Sequence, residues 1–208
     1  MKKFYDNWWK VDRYWEGHDF KWKWPVIKQV LPSKNSTILD FGCGEGRYIE
    51  EMLKMDSYKM IGTDISSYAI NRAKKKFPKA RFYVVSGDDK LPIDNNSVDF
   101  ILAADVIEHI FDVPNFMAEM NRVLKKNGKI FISTPYHGLL KNLVIALIGF
   151  DISFDPTAQH IRFFSKRSLG KLLKKYGFTV INYNQYGRFK PLSMGMYFVA
   201  KKTKENKI

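Results

Sequence analysis

The stretch Ile38-Leu39-Asp40-Phe41-Gly42-Cys43-Gly44-Glu45-Gly46 decides the fold of this chain. It places an acid near the end of an apolar segment, then three glycines at alternate positions, and a helical pattern follows. Because glycine has no Cβ, such a loop lets the backbone approach a ligand closely and adopt angles that other residues resist. We expect a nucleotide-like ligand there, and the alternative is a tight turn that binds nothing.

The acids of this loop favour one class of ligand over another. Dinucleotide-binding loops carry Gly-x-Gly-x-x-Gly and hold a pyrophosphate at a helix N-terminus, whereas here the third glycine comes one position earlier. Asp40 and Glu45 place two carboxylates around the loop. Since carboxylates repel a pyrophosphate, a cofactor that carries a sulfonium and an ammonium group suits the loop better.

Short apolar segments alternate along the chain with segments of helical periodicity. The predicted strands are 37–41, 59–64, 81–85, 98–103, 129–134, 178–183 and 196–201. The predicted helices are 46–55, 66–77, 113–125 with Asn127-Gly128 as its stop, the apolar stretch 136–150 and the basic segment 165–176. This order predicts a mostly parallel sheet with helices on both faces and ligands at the carboxyl ends of its strands.

Acidic residues follow two more strands at that edge. Asp64 ends the second strand, where a carboxylate accepts hydrogen bonds from both hydroxyls of a ribose or simply caps the next helix. Asp88 and Asp89 follow the third strand, where one of them could accept from an adenine amino group, and the alternative is an ordinary acidic turn. Their position beside the same crevice favours ligand binding.

With these motifs the sequence resembles the class I S-adenosylmethionine-dependent methyltransferases over nearly its whole length. The segments that carry the resemblance are 39–46, 62–65, 87–92 and 99–135. Asp99 to His109, followed by Asn121 to Gly128 and Ser133-Thr134-Pro135, is most similar to the ubiquinone-pathway O-methyltransferases and related small-molecule enzymes. The resemblance implies a Rossmann-like α/β fold, a seven-stranded, mostly parallel sheet with an antiparallel last strand and helices on both faces.

The resemblance also implies a set of cofactor-binding residues for S-adenosylmethionine and its product S-adenosylhomocysteine. They are Asp40, Gly42, Gly44, Gly46, Asp64, Ile65, Asp88, Asp89, Ala104 and Asp105. The glycines would line the methionine part, Asp64 would hold the ribose, and Ile65 would pack on the adenine. Asp88 and the backbone near Asp89 would address the adenine edge, and Ala104 with Asp105 would lie beside the sulfonium.

A hydroxyl acceptor must lose its proton, and a histidine is the usual base for that step. His137 follows the fifth strand and His160 opens the basic segment, so these two are the candidate catalytic residues, each with a structural hydrogen-bonding role as the alternative. His18 lacks supporting context. Cytosine C5 methylation is excluded because Cys43, the only cysteine, lies within the cofactor loop.

Asp105, Glu108 and His109 are spaced so that they would share one face of a helix and could form a divalent metal site. Ubiquinone-pathway relatives suggest a metal there. We favour a capping and packing role for these residues, so no metal ligand is assigned.

Composition limits the other possibilities. With 208 residues, 45% hydrophobic and 27% charged, the chain is predicted to form one domain, 1–208. Within it, 1–30 would be an aromatic-rich helical lid, and 136–176 would combine an acceptor-site insertion with a basic helix. One cysteine excludes an internal disulfide, no segment is typical of a secretory signal, and no apolar run approaches the ~20 residues of a membrane span. We expect a cytoplasmic protein.

The formal charge of +14 requires an anionic partner or surface to be considered. Residues 160–208 hold twelve lysines and arginines and one glutamate. The leading hypothesis is O-methylation of a small molecule, either a quinone or phenol precursor, a lipid-linked compound or a sugar. The apolar stretch 139–150 would be a core helix, an acceptor wall or a membrane contact. The alternatives are a nucleic-acid-binding protein or RNA methyltransferase, which we regard as unfavoured, and a cofactor-binding subunit without catalysis.

Overall fold

The computed structural model describes residues 2–11, 19–55, 57–155, 157, 159–190 and 192–205. Seven strands form one sheet: β1 (Thr37–Phe41), β2 (Lys59–Asp64), β3 (Arg81–Val84), β4 (Val98–Ala104), β5 (Leu124–Pro135), β6 (Phe178–Tyr186) and β7 (Gly195–Lys202). Eight helices accompany it: α1 (Lys2–Val11), α2 (Phe20–Val30), α3 (Arg47–Met55), α4 (Ser67–Lys76), α5 (Val113–Val123), α6 (Leu139–Ile148), α7 (Phe150–Ser153) and α8 (Lys166–Lys175).

The strand order is β3-β2-β1-β4-β5-β7-β6. β1 pairs in parallel with β2 and β4, β2 pairs in parallel with β3, and β4 with β5. The last strand, β7, runs antiparallel to both β5 and β6. The sheet therefore confirms the predicted seven-stranded Rossmann-like arrangement with an antiparallel last strand. From β1 the following strands are added on opposite sides, β2 and β3 on one side and β4 and β5 on the other, and this divergence opens a crevice at the carboxyl ends.

Helices cover both faces of the sheet, as predicted. On one face, Met117 of α5 and Leu169 and Leu173 of α8 pack against the apolar sheet residues. On the other face, Ile27 of α2 and Ile49 of α3 belong to the second buried cluster. Because α8 buries its leucines, its lysines and Arg167 lie on the solvent side of an ordinary amphipathic helix.

Two predicted boundaries were wrong. The helix predicted to extend over 113–125 ends at Val123, because Leu124 already pairs with Val98 as the first residue of β5. Asn127 adopts a φ of 70°, so the Asn127-Gly128 turn lies inside β5 and does not end a helix. The apolar stretch 136–150 forms a helix only over Leu139–Ile148, and none of its residues is buried, which excludes a core helix.

Within the described ranges, no helix combines the length and the apolarity needed to cross a bilayer.

Candidate active site

The glycine loop after β1 is fixed by hydrogen bonds to the neighbouring strand. The backbone N–H groups of Gly42 and Cys43 both donate to the carbonyl of Thr63, at 2.7 and 2.9 Å. Gly42 has a φ of 77°, and a Cβ on it would collide with Val106. The conformation of this loop therefore requires glycine at that position.

Asp64, at the end of β2, lies directly against this loop. Its Oδ2 accepts from the backbone N–H of Gly44 at 3.0 Å, and its Oδ1 accepts from that of Ser66 at 2.8 Å. Burial raises the pKa of Asp64, and these backbone donors oppose the rise. The carboxylate thus joins the loop to the start of α4 at the floor of a cavity.

That first cavity has a volume of about 170 Å³. Strand ends supply one wall, including Asp64, Ile65 and Asp88. The opposite wall comes from Tyr5, Trp8 and Trp9, which project from α1 across the crevice. A Cβ on Gly44 would collide with the Trp9 indole, so α1 packs directly on the glycine loop.

A second cavity of about 850 Å³ adjoins the first. The two have five lining residues in common, Trp8, Trp9, Gly42, Asp105 and His109. Aromatic side chains form much of its wall, namely Phe4, Trp8, Trp9, Phe20, Tyr48 and Tyr186. A smaller cavity with a carboxylate at its floor therefore continues into a larger one, whose wall combines these aromatic rings with polar and charged side chains.

Lys23 of α2 forms a buried ion pair with Asp105 in the wall of this second cavity. Asp105 has a φ of 55°, and its Oδ1 accepts from Ser133 Oγ at 2.7 Å and from Tyr186 Oη at 3.3 Å. A strained backbone held by several partners is common at functional sites. Burial lowers the pKa of Lys23 to about 8, and the charges of Asp19 and Glu108 oppose that shift.

Glu108, His109 and His160 form a second polar group in the same wall. Their ligand atoms all lie within 4.8 Å of one another, and the two imidazole centroids are 5.0 Å apart. Burial raises the pKa of Glu108 to about 7 and lowers that of His109 to about 4. Burial also lowers the pKa of His160, so both imidazoles are neutral at physiological pH.

The expectation that Asp105, Glu108 and His109 share a helix face was wrong. Residues Ile107–His109 form a single 3-10 turn, and Asp105 precedes it with a left-handed backbone. Asp105 is engaged by Lys23, whereas His160, distant in sequence, takes the third position near Glu108 and His109. A carboxylate and two neutral imidazoles are a donor set that transition metals accept.

Eight of the twelve predicted site residues line one or both cavities. They are Gly42, Gly44, Asp64, Ile65, Asp88, Ala104, Asp105 and His160. The structure does not bring Asp40, Gly46, Asp89 and His137 to either lining. His137 instead contacts Asn142 Oδ1 at 3.1 Å through Nδ1 and stacks edge-on against Phe163.

Asp40, Gly46 and Asp89 lie near the cavities and have structural contacts of their own. Asp40 is buried in β1 with its Oδ2 unpaired, and burial followed by the charge of Asp64 raises its pKa to about 8. Gly46 has a φ of 89° and packs against Phe77 as the loop enters α3. Asp89 is exposed, and its Oδ2 accepts from the backbone N–H of Ser86 at 2.8 Å.

Three contributions were missed by the sequence analysis. Lys23 and Tyr186 come from segments with no motif, and Tyr186 lies beyond the predicted end of its strand. The pairing of His109 with His160 had no signal either, because it depends on how the loop before α8 returns to the sheet edge. Of the aromatic lid 1–30, Trp15 lies outside the described residues, as does His18.

The chain matches a family described as a methyltransferase domain over residues 18–183. A ubiquinone biosynthesis O-methyltransferase of Pelagibacter ubique is 36% identical over 134 residues, which are 63% of this chain and 53% of that protein. A ubiquinone/menaquinone biosynthesis C-methyltransferase of Campylobacter jejuni is 28% identical and covers 89% of this chain and 88% of its own length.

The fold is also found in solved structures. A chain from the complex between the Haloferax volcanii Trm112 methyltransferase activator and a methyltransferase superposes with a TM-score of 0.84 at 15% identity. That match covers 100% of this chain and 99% of the other. The glycine loop, the strand-end carboxylates and the family match agree. The chain belongs to the class I S-adenosylmethionine-dependent methyltransferases.

Proposed function

We propose that this enzyme transfers a methyl group from S-adenosylmethionine to an oxygen atom of a small molecule with a substantial apolar part. The observation that carries the proposal is the second cavity, which is large, combines aromatic with polar side chains, and is continuous with the cavity at Asp64. Cavities of several hundred Å³ that combine aromatic walls with polar groups able to orient a ligand are typical of small-molecule sites.

The residues of the first cavity fit the cofactor. The Asp64 carboxylate would accept from ribose hydroxyls, and Asp88, which lines the same cavity, would address the adenine. The glycine loop and Asp105 line the passage into the second cavity, so they would border the methionine and the sulfonium. Several carboxylates around this passage match the positive charges of the cofactor. When bound, the cofactor supplies an already activated methyl group.

Positioning of the acceptor is the main task left to the protein. The aromatic wall would hold the apolar part of the acceptor and exclude water from it. His160, a neutral imidazole in that wall, would accept the proton from the acceptor hydroxyl. His109 lies beside it, but burial lowers its pKa to about 4, which makes it a weak base. We therefore assign the base to His160.

The names of the two relatives support small-molecule methylation and differ in the acceptor atom. One is named an O-methyltransferase and the other a C-methyltransferase, both for ubiquinone biosynthesis. We favour oxygen because a neutral base in the wall suits deprotonation of a hydroxyl. A nucleic-acid substrate is not favoured, since the basic helix α8 uses its other face for the core.

The first experiment is calorimetric titration of the protein with S-adenosylhomocysteine, beside NAD as the dinucleotide. We expect S-adenosylhomocysteine alone to bind, and Asp64→Ala to weaken binding by roughly 100-fold, since charge-assisted hydrogen bonds are lost. Asp89→Ala is the matched control, because this exposed carboxylate lines neither cavity. Binding of NAD alone, or of neither ligand, would overturn the cofactor assignment.

The second experiment identifies the acceptor. Labelled S-adenosylmethionine is incubated with a panel of phenols, catechols, hydroquinones and sugars, and the position of the methyl group in any product is read by NMR. A methyl ether supports the proposal, whereas a new carbon-carbon bond assigns C-methylation instead. Label found only in added RNA would contradict the small-molecule reading.

A further inference from the structure

Helix α6 has no residue in the core. Its sequence, LLKNLVIALI, is almost wholly apolar, yet none of its ten residues is buried. Leu139 is 90% exposed and Ile148 is 83% exposed. An apolar helix of this length is too short to span a bilayer and is typical of an interfacial segment or a buried one. The described part of the chain does not bury it.

Helix α7 extends this apolar area. Phe150 and Ile152 are both exposed, and Phe150 stacks on Phe154, which in turn contacts Phe163. We call the exposed set the apolar platform. Its members in α6 are Leu139, Leu140, Leu143, Leu147 and Ile148, and its members in α7 are Phe150 and Ile152. Contiguous exposed apolar side chains of this number mark an interaction surface.

Three cations lie on one side of the platform. Lys141 of α6 reaches the turn between β6 and β7, where its Nζ donates to the carbonyls of Ser193 and Met194 at 3.1 and 3.2 Å. The same turn presents Arg188, Phe189 and Lys190, and Phe189 is 70% exposed. Burial, and after it the charge of Arg188, lowers the pKa of Lys141, so the two cations lie near each other. An exposed aromatic ring between two cations is suited to a lipid interface.

The acids near the platform are fewer. Helix α6 contains none, and α7 contributes Asp151, with Asp155 just beyond it. The three cations at this side of the molecule, Lys141, Arg188 and Lys190, therefore outnumber these two acids. The platform is an apolar area with an excess of positive charge beside it.

The platform also lies at the mouth of the second cavity. Ile152 of α7 and Met194 of the β6–β7 turn both line that cavity. A surface to which the platform adheres would consequently face the opening through which an acceptor enters.

We propose that the apolar platform docks this enzyme on a bilayer that contains anionic lipids. The apolar side chains would enter the boundary between headgroups and acyl chains, while Lys141, Arg188 and Lys190 would contact lipid phosphates. A second copy of the chain is a poorer occupant. A two-fold dimer across the platform would bring the cations of both copies to one interface, whereas lipid phosphates would neutralise them.

Vesicle cosedimentation tests the proposal without cofactor or acceptor, so its outcome is independent of the methylation chemistry. The probes are vesicles of phosphatidylcholine alone and of phosphatidylcholine mixed with phosphatidylglycerol. We expect the protein to sediment with the mixed vesicles, more weakly with the neutral ones, and less as salt is added.

Two substitutions in the platform, Leu143→Glu with Leu147→Glu, should lower the partition coefficient at least roughly tenfold, because apolar burial is lost and negative charge is added. The matched control is Ile181→Glu, an exposed apolar residue of β6 outside the platform, which should bind as the unmodified protein does. Circular dichroism and S-adenosylhomocysteine binding verify that both variants are folded.

Three outcomes would overturn the proposal. The first is absence of sedimentation with anionic vesicles, and the second is unchanged sedimentation of the platform variant. The third is a vesicle-free dimer, seen by light scattering, that the platform variant dissociates while vesicle binding stays absent. That result would assign the platform to a second copy of the chain.

Discussion

The buried Lys23 and the half-buried Asp105, 82 positions apart in the sequence, form an ion pair where the two cavities meet. Lys23 belongs to α2, which precedes the sheet, whereas Asp105 follows β4 beside the glycine loop. The pair thus ties the N-terminal helices to the strand edge that carries the chemistry. Asp105 keeps its left-handed backbone through this contact together with Ser133 and Tyr186.

Replacing Lys23 by Met should cost about 1 kcal/mol of folding free energy, because the half-buried Asp105 carboxylate loses its charged partner but stays partly solvated. Urea unfolding measures the change. The control is Lys28→Met, an exposed lysine of the same helix, for which we expect a change within about 0.5 kcal/mol. Equal stabilities of the two variants would show that the ion pair contributes nothing.

Asp40 makes stability depend on pH in an unusual direction. Burial raises its pKa to about 8, above the value in the unfolded chain, so the folded state binds the extra proton between those two values. Stability should therefore decrease as pH rises from about 4 to about 8, and Glu108, whose pKa is raised to about 7, acts in the same direction.

Substitution Asp40→Asn removes the charge and keeps the shape. We expect the variant to be more stable than the unmodified protein by about 2 kcal/mol near pH 8 and nearly equal near pH 4. Urea unfolding at both pH values tests this, with Asp89→Asn as an exposed control. A variant less stable at the higher pH would mean that the ionised Asp40 has a partner.

Much of the fold follows from the sequence because local pattern and tertiary role agree there. The segments ending at Phe41 and Asp64 are apolar, buried and followed by residues typical of loops. Their strands have the predicted bounds. The start of β5 was missed because Leu124 to Lys126 continue a helical periodicity, and only pairing with Val98 shows their strand geometry. Tertiary pairing overrides local preference at such positions.

Most of the candidate site was predictable where residues follow strands directly. Asp64, Asp88 and Ala104 fall at the sheet edge by topology alone. His160 was predicted as a candidate base, but its position beside His109 depends on a loop path, and Lys23 reaches the cavity along a helix that no local pattern connects to it. Likewise, the apolarity of α6 is the same whether a helix is buried or exposed, so the sequence left both open.

Asp6 fixes α1 on α4. Its Oδ1 accepts from Ser66 Oγ at 2.7 Å and from the backbone N–H of Tyr68 at 3.0 Å, and its carboxylate also contacts Ser67 Oγ. These donors lower the pKa of Asp6, the bond from Tyr68 most strongly. The contact therefore contributes fully above the ordinary carboxyl pKa, and it is lost as pH falls through the lowered pKa of Asp6.

Asp6→Ala should detach α1 from the first cavity. We expect S-adenosylhomocysteine affinity to decrease roughly five-fold, since loss of a cap costs about 1 kcal/mol, and limited proteolysis to cut within residues 2–11 faster. Asn7→Ala, an exposed position on the same helix, serves as the control. Unchanged affinity with faster proteolysis would show that α1 covers the cavity without contributing to binding.

His160 gives the prediction that bears most directly on catalysis. With an acceptor in hand, His160→Gln should reduce kcat roughly 100-fold and leave S-adenosylhomocysteine affinity unchanged, because a general base contributes in the transition state. Burial lowers the pKa of His160, so the enzyme should keep its activity below pH 6.5 and lose it only as the imidazole becomes protonated. That acidic decline should be absent from the residual activity of the variant.

His137→Gln is the matched control, since His137 lines neither cavity. If His137→Gln lost activity and His160→Gln did not, the base would lie on the Asn142 side of the sheet edge, and the acceptor would have to enter from there.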